Sequence, residues 1–339
     1  MKLTENEIRQ IIIGAVRITE ENGAVTPYRF TVGQEELYRE RWADFLLRSL
    51  ASAGIKLSFE TDSTALTLQV TVEPGSSRQY FSVDVFANGE VVGYMDNFNE
   101  ADMVGNYVQT ECSLGTFRKT FSLGEGVKRV CIHLPWSAKT TIEELSLEEG
   151  AYVRSVKPDK KLLVFGDSIT QGYDALRPSN RYTARLAEAL GAEEVNKAIG
   201  GEVFYPELAK EKEHFMPDYI TVAYGTNDWS GKDHYTFVEN CRAFYETLCK
   251  TYPDARIFAI TPIWRKDKDD KRPFGAFESI EMHIKDLVSD LPNVTVISGI
   301  DLVPGTETLY ADLRLHPNDK GFRFYFEHLY EKVKPYIND

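Results

Sequence analysis

The periodicity of the chain changes once, and for good, around Lys157-Pro158-Asp159-Lys160-Lys161. Before this charged, proline-broken stretch the apolar residues alternate with a period of two. Leu66, Leu68, Val70 and Val72 are spaced by Thr67, Gln69 and Thr71, and Phe81, Val83 and Val85 by Ser82 and Asp84. Such alternation suits strands with one buried face. After the stretch, short apolar runs alternate with helical patterns. One chain therefore builds two architectures, and the boundary is expected between residues 1–157 and 158–339.

In the N-terminal part, Asn88-Gly89 supplies a tight hairpin turn before Val91 and Val92. Further strands are expected near 116–121, 128–134 and 141–147. Short strands at this spacing predict a β-sandwich or jelly roll. A helix is expected ahead of them, with Trp42, Phe45, Leu46 and Leu50 on one face and Gly54 just beyond. In the C-terminal part, strands at Leu162–Phe165, around Val195, at Tyr219–Ala223, Arg256–Ile260 and Val294–Ser298 alternate with helices. The helices carry Tyr182, Leu186 and Leu190; Phe237, Cys241, Phe244 and Leu248; Phe277, Ile280, Ile284 and Leu287; and Phe322, Phe326, Leu329 and Val333. Strand–helix repetition predicts an α/β fold whose parallel sheet is covered on both faces.

Composition narrows the partners. With 42% apolar residues the chain can bury a sizeable core, and 52 acidic against 39 basic residues give a net charge of −13. That charge repels phosphate backbones and acidic membranes, which argues against nucleic-acid and membrane partners. Cys112, Cys131, Cys241 and Cys249 form neither a disulfide framework nor a CxxC zinc pair, so a reducing compartment fits. The apolar run Ile11–Val16 is too short for a signal-peptide core or a membrane span, so a cytoplasmic protein is expected. The histidines make no recognisable metal pair, and no cofactor fingerprint follows a strand.

In a doubly wound sheet, ligands bind beyond the carboxyl ends of the strands. The residues there are Gly166-Asp167-Ser168-Ile169-Thr170, Asn196 to Glu202 (NKAIGGE), Gly225-Thr226-Asn227-Asp228 and Asp312 to Pro317 (DLRLHP). A serine hydroxyl is a weak nucleophile until a neutral imidazole takes its proton, and an acid fixes that imidazole's tautomer. Ser168, His316 and Asp312 can fill those roles, with the N–H groups of Ser168 and Gly201 and the amide of Asn227 as oxyanion donors. Asp167 and Asp228 are expected to brace their loops. Lys266 to Arg272 reads as a solvated loop, placed where a lid over the site would also fit.

These blocks, over roughly 161–339, resemble the SGNH, or GDSL-like, hydrolase superfamily: GDSIT, NKAIGGE, GTND and HPND occur in its order. The resemblance implies a flavodoxin-like three-layer fold and cofactor-free ester hydrolysis. It also implies Ser168 as nucleophile, His316 as base, and an oxyanion hole of Ser168, Gly201 and Asn227. The family usually carries its acid three residues before the histidine. Position 313 here is Leu and Asp312 stands four before, so either Asp312 completes a triad or a backbone carbonyl supports a Ser–His dyad. The preceding β domain resembles the arrangement in two-domain carbohydrate acetyl esterases, which implies O-acetyl groups on oligosaccharides as substrate. Trp229 and Trp264 follow strands and are expected at the rim, stacking on sugar or closing a short acyl pocket. A short-chain lipase, arylesterase or thioesterase, and an inert carbohydrate-binding protein, are the rival readings. For the N-terminal domain, gripping glycan, completing the site and forming a homodimer interface stay open.

Overall fold

The computed structural model describes residues 1–103, 105, 107 and 110–337. The N-terminal half forms two antiparallel sheets. The first runs Ile12–Ile13, Lys56–Thr61, Lys128–His133, Ser82–Ala87, Glu90–Asp96, with Arg154–Ser155 also paired to Lys56–Thr61. The second runs Arg17–Glu21, Ala24–Tyr28, Ala138–Leu147, Ala65–Pro74, Gly115–Ser122. Leu66, Leu68, Val70 and Val72 point inward and share one core with Leu57, Phe59, Val83, Val85, Val130 and Ile132 of the other sheet. Removing each such side chain from water is worth about 1.5–3 kcal/mol, which is what the alternating pattern secures.

The C-terminal half carries a five-stranded parallel sheet: β1 (Lys160–Gly166), β2 (Ala192–Asn196), β3 (Tyr219–Ala223), β4 (Arg256–Ile260) and β5 (Val294–Ile297). Their spatial order is β2-β1-β3-β4-β5, every neighbouring pair parallel. This is the flavodoxin-like order, which reverses direction between β1 and β3. Successive residues of β1 face opposite cores. Leu162 and Val164 pack with helices Tyr182–Ala189 and Asp319–Val333, and Leu163 and Phe165 with helices His234–Thr251 and Ser279–Val288. Three layers result.

The expected helix around Trp42 is two helices, Val32–Arg41 and Ala43–Ser49, because Trp42 is extended at φ −172° and ψ 133° and breaks the run. This pair belongs to the second half of the molecule in packing terms. Phe30, Tyr38 and Phe45 lie in the same core as Phe165, Phe204 and Phe244. The fully buried Arg29 guanidinium donates to the carbonyls of Ala51 at 2.6 Å, Arg48 at 2.9 Å, and Asn196 and Ala198 at 2.9 Å each. A buried cation needs such satisfaction, and here it fastens the helix pair to the loop after β2. Among the described residues no helix is long and apolar enough to cross a membrane.

Candidate active site

Strand β1 ends at Gly166, and the chain turns into a four-residue helix, Ser168–Gln171. Asp167 caps it, its Oδ1 accepting from the Ile169 N–H at 2.9 Å. Burial pushes the Asp167 carboxyl up to about 6, against the lowering effect of that bond. Ser168, 6% exposed, opens the helix, so its N–H is one of those a helix leaves without an internal partner. The bracing role expected of Asp167 is what this cap performs.

The histidine arrives on a tight loop before the last helix. The Ala311 N–H donates to the His316 carbonyl at 2.8 Å and the Asn318 N–H to that of Leu309 at 2.9 Å, closing the loop at its base. Within it, Asp312 Oδ1 accepts from the N–H groups of Arg314, Leu315 and His316 at 2.9, 2.7 and 3.1 Å. Asp312 Oδ2 stands 2.9 Å from His316 Nδ1, and His316 Nε2 stands 2.9 Å from Ser168 Oγ. The extra residue between acid and histidine is absorbed by Leu313, whose φ of +56° lies in the left-handed region. A triad geometry thus exists despite the spacing. Burial resists the Asp312 charge, but the bonds from His316 and the loop amides hold its carboxyl well below the usual range.

A second carboxylate faces the same imidazole nitrogen. Asp174 Oδ2 lies 3.5 Å from His316 Nδ1. Arg78, from the N-terminal half, grips Asp174 with both arms, Nε to Oδ1 at 2.7 Å and Nη2 to Oδ2 at 3.0 Å, and the Tyr80 hydroxyl donates to Oδ1 at 3.2 Å. The Tyr173 ring stacks on the imidazole with centroids 5.7 Å apart. Burial opposes charging of His316, yet the bond to Asp312 and the charges of Asp174 and Asp312 outweigh it and raise its pKa, with Arg78 pulling it back. Asp174, Asp312 and His316 are also the one group among the described residues whose ligand atoms lie close enough to hold a metal ion. A guanidinium already occupies both Asp174 oxygens, so the carboxylate charge is balanced from within. Neither Arg78 nor Asp174 carries a sequence signal; they are 96 positions apart and flank no strand end.

Gly201 and Asn227, the other residues expected as oxyanion donors, line one cleft of about 470 Å³ with Arg41, Trp42, Phe45 and Lys232. Gly201 sits at φ +84°, which favours glycine. A Cβ on its neighbour Gly200 would lie 2.7 Å from the Tyr173 hydroxyl. The Gly200 N–H donates to Gln171 Oε1 at 2.8 Å, tying this loop to the helix that carries Ser168. Its carbonyl accepts from Arg48 Nη1 at 2.5 Å, and Arg41 pairs with the buried Glu202. Asn227 spends one amide N–H on the Glu202 carbonyl at 3.0 Å and keeps the other. Asp228 Oδ1 accepts from the Phe204 N–H, and burial raises its carboxyl to about 7.

Trp229 does not stand at the rim. It is 1% exposed, donates its indole N–H to the Gly275 carbonyl at 3.0 Å and meets Phe277 edge-on, so it is a core residue. Its short helix, Thr226–Gly231, points the side chain inward. Trp264 is half-buried against Tyr310, ring centroids 5.0 Å apart. Of the two aromatic side chains lining the cleft, Trp42 is the exposed one, at 53%. The 266–272 run is anchored rather than loose: Asp267 accepts from Arg265 at 2.6 Å, Arg272 at 2.9 Å and Arg314 of the histidine loop at 2.6 Å.

Residues 164–324 match the GDSL-like lipase/acylhydrolase family. No curated protein matches the chain. Among solved structures, the salicylyl-acyltransferase SsfX3 from a tetracycline biosynthetic pathway is 20% identical, with a TM-score of 0.79 over 96% of this chain and 94% of that one. A family two carbohydrate esterase from Cellvibrio japonicus is 17% identical, with a TM-score of 0.67 over 100% and 98%. One from Clostridium thermocellum, in complex with cellohexaose, is 16% identical, with a TM-score of 0.64 over 85% and 94%. At these identities the likeness establishes the shared fold.

Proposed function

We propose, from the match of residues 164–324 to the GDSL-like lipase/acylhydrolase family, that the protein is a serine esterase that removes acetyl groups from the hydroxyls of oligosaccharides. The observation that carries the chemistry is the unbroken chain from Ser168 Oγ through His316 to Asp312, each link 2.9 Å. In this reading His316 Nε2 takes the serine proton as Oγ attacks the ester carbonyl. The oxyanion is held by the N–H groups of Ser168 and Gly201 and the free amide N–H of Asn227. The same proton passes to the departing sugar oxygen, leaving acetyl-Ser168. His316 then deprotonates a water, which releases acetate, and the proton returns to Ser168. Asp312 stays ionised throughout, orienting the ring and stabilising the imidazolium.

The saccharide half of the reading is supported by Trp42, an exposed aromatic face beside Gly201 and Asn227, and by relatives of this fold named as carbohydrate esterases. The two-sheet N-terminal half, which we read as a jelly roll, then serves the active site directly, through Arg78 and the helix pair that bears Trp42. Incubating the protein with acetylated xylo-, manno- and cello-oligosaccharides and following acetate and product masses tests the proposal. Stoichiometric acetate from wild type and none from Ser168→Ala is expected. A preference for decanoyl over acetyl esters would overturn the acetyl assignment.

A further inference from the structure

Away from the triad, a cavity of about 560 Å³ lies between the outer face of the first antiparallel sheet and the helix Tyr182–Ala189 with the start of β2. Its floor is set by register. Lys56 pairs with His133 and Ser58 with Cys131, so with period-two alternation these side chains share the face opposite the Leu57–Ile132 core. Lys157, Arg129 and Arg185 complete the lining, and Glu188 is its one acidic member. Four cations around one cavity are unexpected in a chain of net charge −13.

Two buried side chains of the lining lack hydrogen-bond partners. Ser58, 1% exposed, and His133, 7% exposed, leave Oγ and Nδ1 without a hydrogen bond. Among the described residues the Lys56 ammonium, on a side chain 9% exposed overall, makes no ion pair or hydrogen bond. Glu194, whose charge it feels through space, is already gripped by both arms of Arg181 at 2.8 and 3.1 Å. Arg185 bonds only the backbone carbonyl and side-chain oxygen of Asn180. Buried donors without acceptors are costly, and a polar cavity offering several of them is explained by a bound acceptor.

We propose that this cavity is a binding site for a small organic phosphate with a sugar-sized body, distinct from the esterase site. A phosphate monoester carries close to two negative charges and three acceptor oxygens, enough to engage Lys56 and the flanking guanidinium and ammonium groups together. The volume lies in the range of small-molecule sites and exceeds what a bare phosphate fills. The neutral polar group of His133 suits a sugar hydroxyl better than a second charge.

Isothermal titration of the full chain at fixed ionic strength tests this, with glucose 6-phosphate, glucose and inorganic phosphate as probes. Glucose 6-phosphate is expected to bind and glucose not to. Lys56→Met is expected to weaken binding at least tenfold, and so is the double variant Arg129→Gln/Lys157→Gln, whose exposed positions keep the fold safe. Ser168→Ala should bind as wild type does, so failure of the esterase reading would leave this result standing. Absence of glucose 6-phosphate binding would overturn the proposal, as would binding that both variants leave unchanged. Inorganic phosphate binding as tightly as the sugar phosphate would mean an adventitious ion only.

Discussion

Arg78 holds Asp174 in a two-armed pair, at 2.7 and 3.0 Å, while the same carboxylate stands 3.5 Å from the imidazole of His316. A residue of the N-terminal half thereby sets how much negative charge the His316 imidazole experiences. The neutral imidazole is the active form, so a raised His316 pKa places the acid limb of kcat/KM above pH 6.5. Arg78→Met removes the cation that pulls this pKa back and should move the limb to higher pH by roughly 0.5–1 unit. Asp174→Asn should move it to lower pH. A pH–rate series on the three proteins checks both signs, and a limb unmoved in either variant would separate this pair from the chemistry.

Asp312 and Asp174 share one nitrogen, so their losses should be strongly coupled. Asp312→Asn alone is expected to cost about 100-fold in kcat, with Asp174 partly replacing it. The Asp312→Asn/Asp174→Asn double variant should approach the roughly 10⁴-fold loss of a triad whose histidine lacks any acid. A double-mutant cycle in kcat measures the coupling, and additive losses would contradict it.

Replacing the nucleophile or an oxyanion donor should leave stability nearly unchanged. Ser168→Ala is expected to lower kcat by more than about 10³-fold. Asn227→Ala should cost about 10²–10³-fold in kcat, about 2.7–4 kcal/mol of transition-state stabilisation. Matching melting temperatures with wild type, together with these rates, would separate catalytic from structural effects.

Trp42 is 53% exposed, so its removal should alter binding and little else. Trp42→Ala is expected to raise KM for acetylated oligosaccharides roughly three- to tenfold, the equivalent of about 0.5–1.5 kcal/mol of aromatic contact. Turnover of p-nitrophenyl acetate, which has no sugar to stack, should be unaffected. Trp229→Phe, by contrast, should lower the melting temperature, because it removes a buried indole hydrogen bond.

Burial raises the Asp228 carboxyl to about 7 in the folded protein from an ordinary value of 3.8. Its contribution to stability is therefore fully present below about pH 4 and is lost as the pH rises through 7. Asp228→Asn keeps an acceptor for the Phe204 N–H without the buried charge. Its melting temperature relative to wild type should be higher at pH 8.5 than at pH 5; a difference independent of pH would refute the assignment.

The parallel sheet was legible because its strands, buried on both faces, read as unbroken apolar runs such as Leu162–Phe165. The helices were legible because Phe237, Cys241, Phe244 and Leu248 form one stripe. Strand Arg17–Glu21 was not legible, since it lies at a sheet edge with mostly exposed side chains and no alternation. Helix Val32–Arg41 buries Gln34, Glu35 and Tyr38, and its polar interior leaves no apolar stripe to find. Motif order located Ser168, Gly201 and Asn227 on the segments that leave β1, β2 and β3, and His316 on the loop before the last helix. It did not say which tryptophan faces solvent, because that depends on the inward turn of helix Thr226–Gly231. Nor did it reveal the pairing of Arg78 with Asp174, which exists only once the two halves are packed.

The Arg29 guanidinium touches carbonyls from Arg48 and Ala51 on one side of residue 157 and from Asn196 and Ala198 on the other. Together with Arg78 on Asp174 and Arg41 on Glu202, it makes each half depend on the other for its shape. A graft that exchanged the front of the chain for an unrelated module would take Arg29 from the carbonyls of Asn196 and Ala198 and Arg48 from that of Gly200, loosening the loop that ends at Gly201.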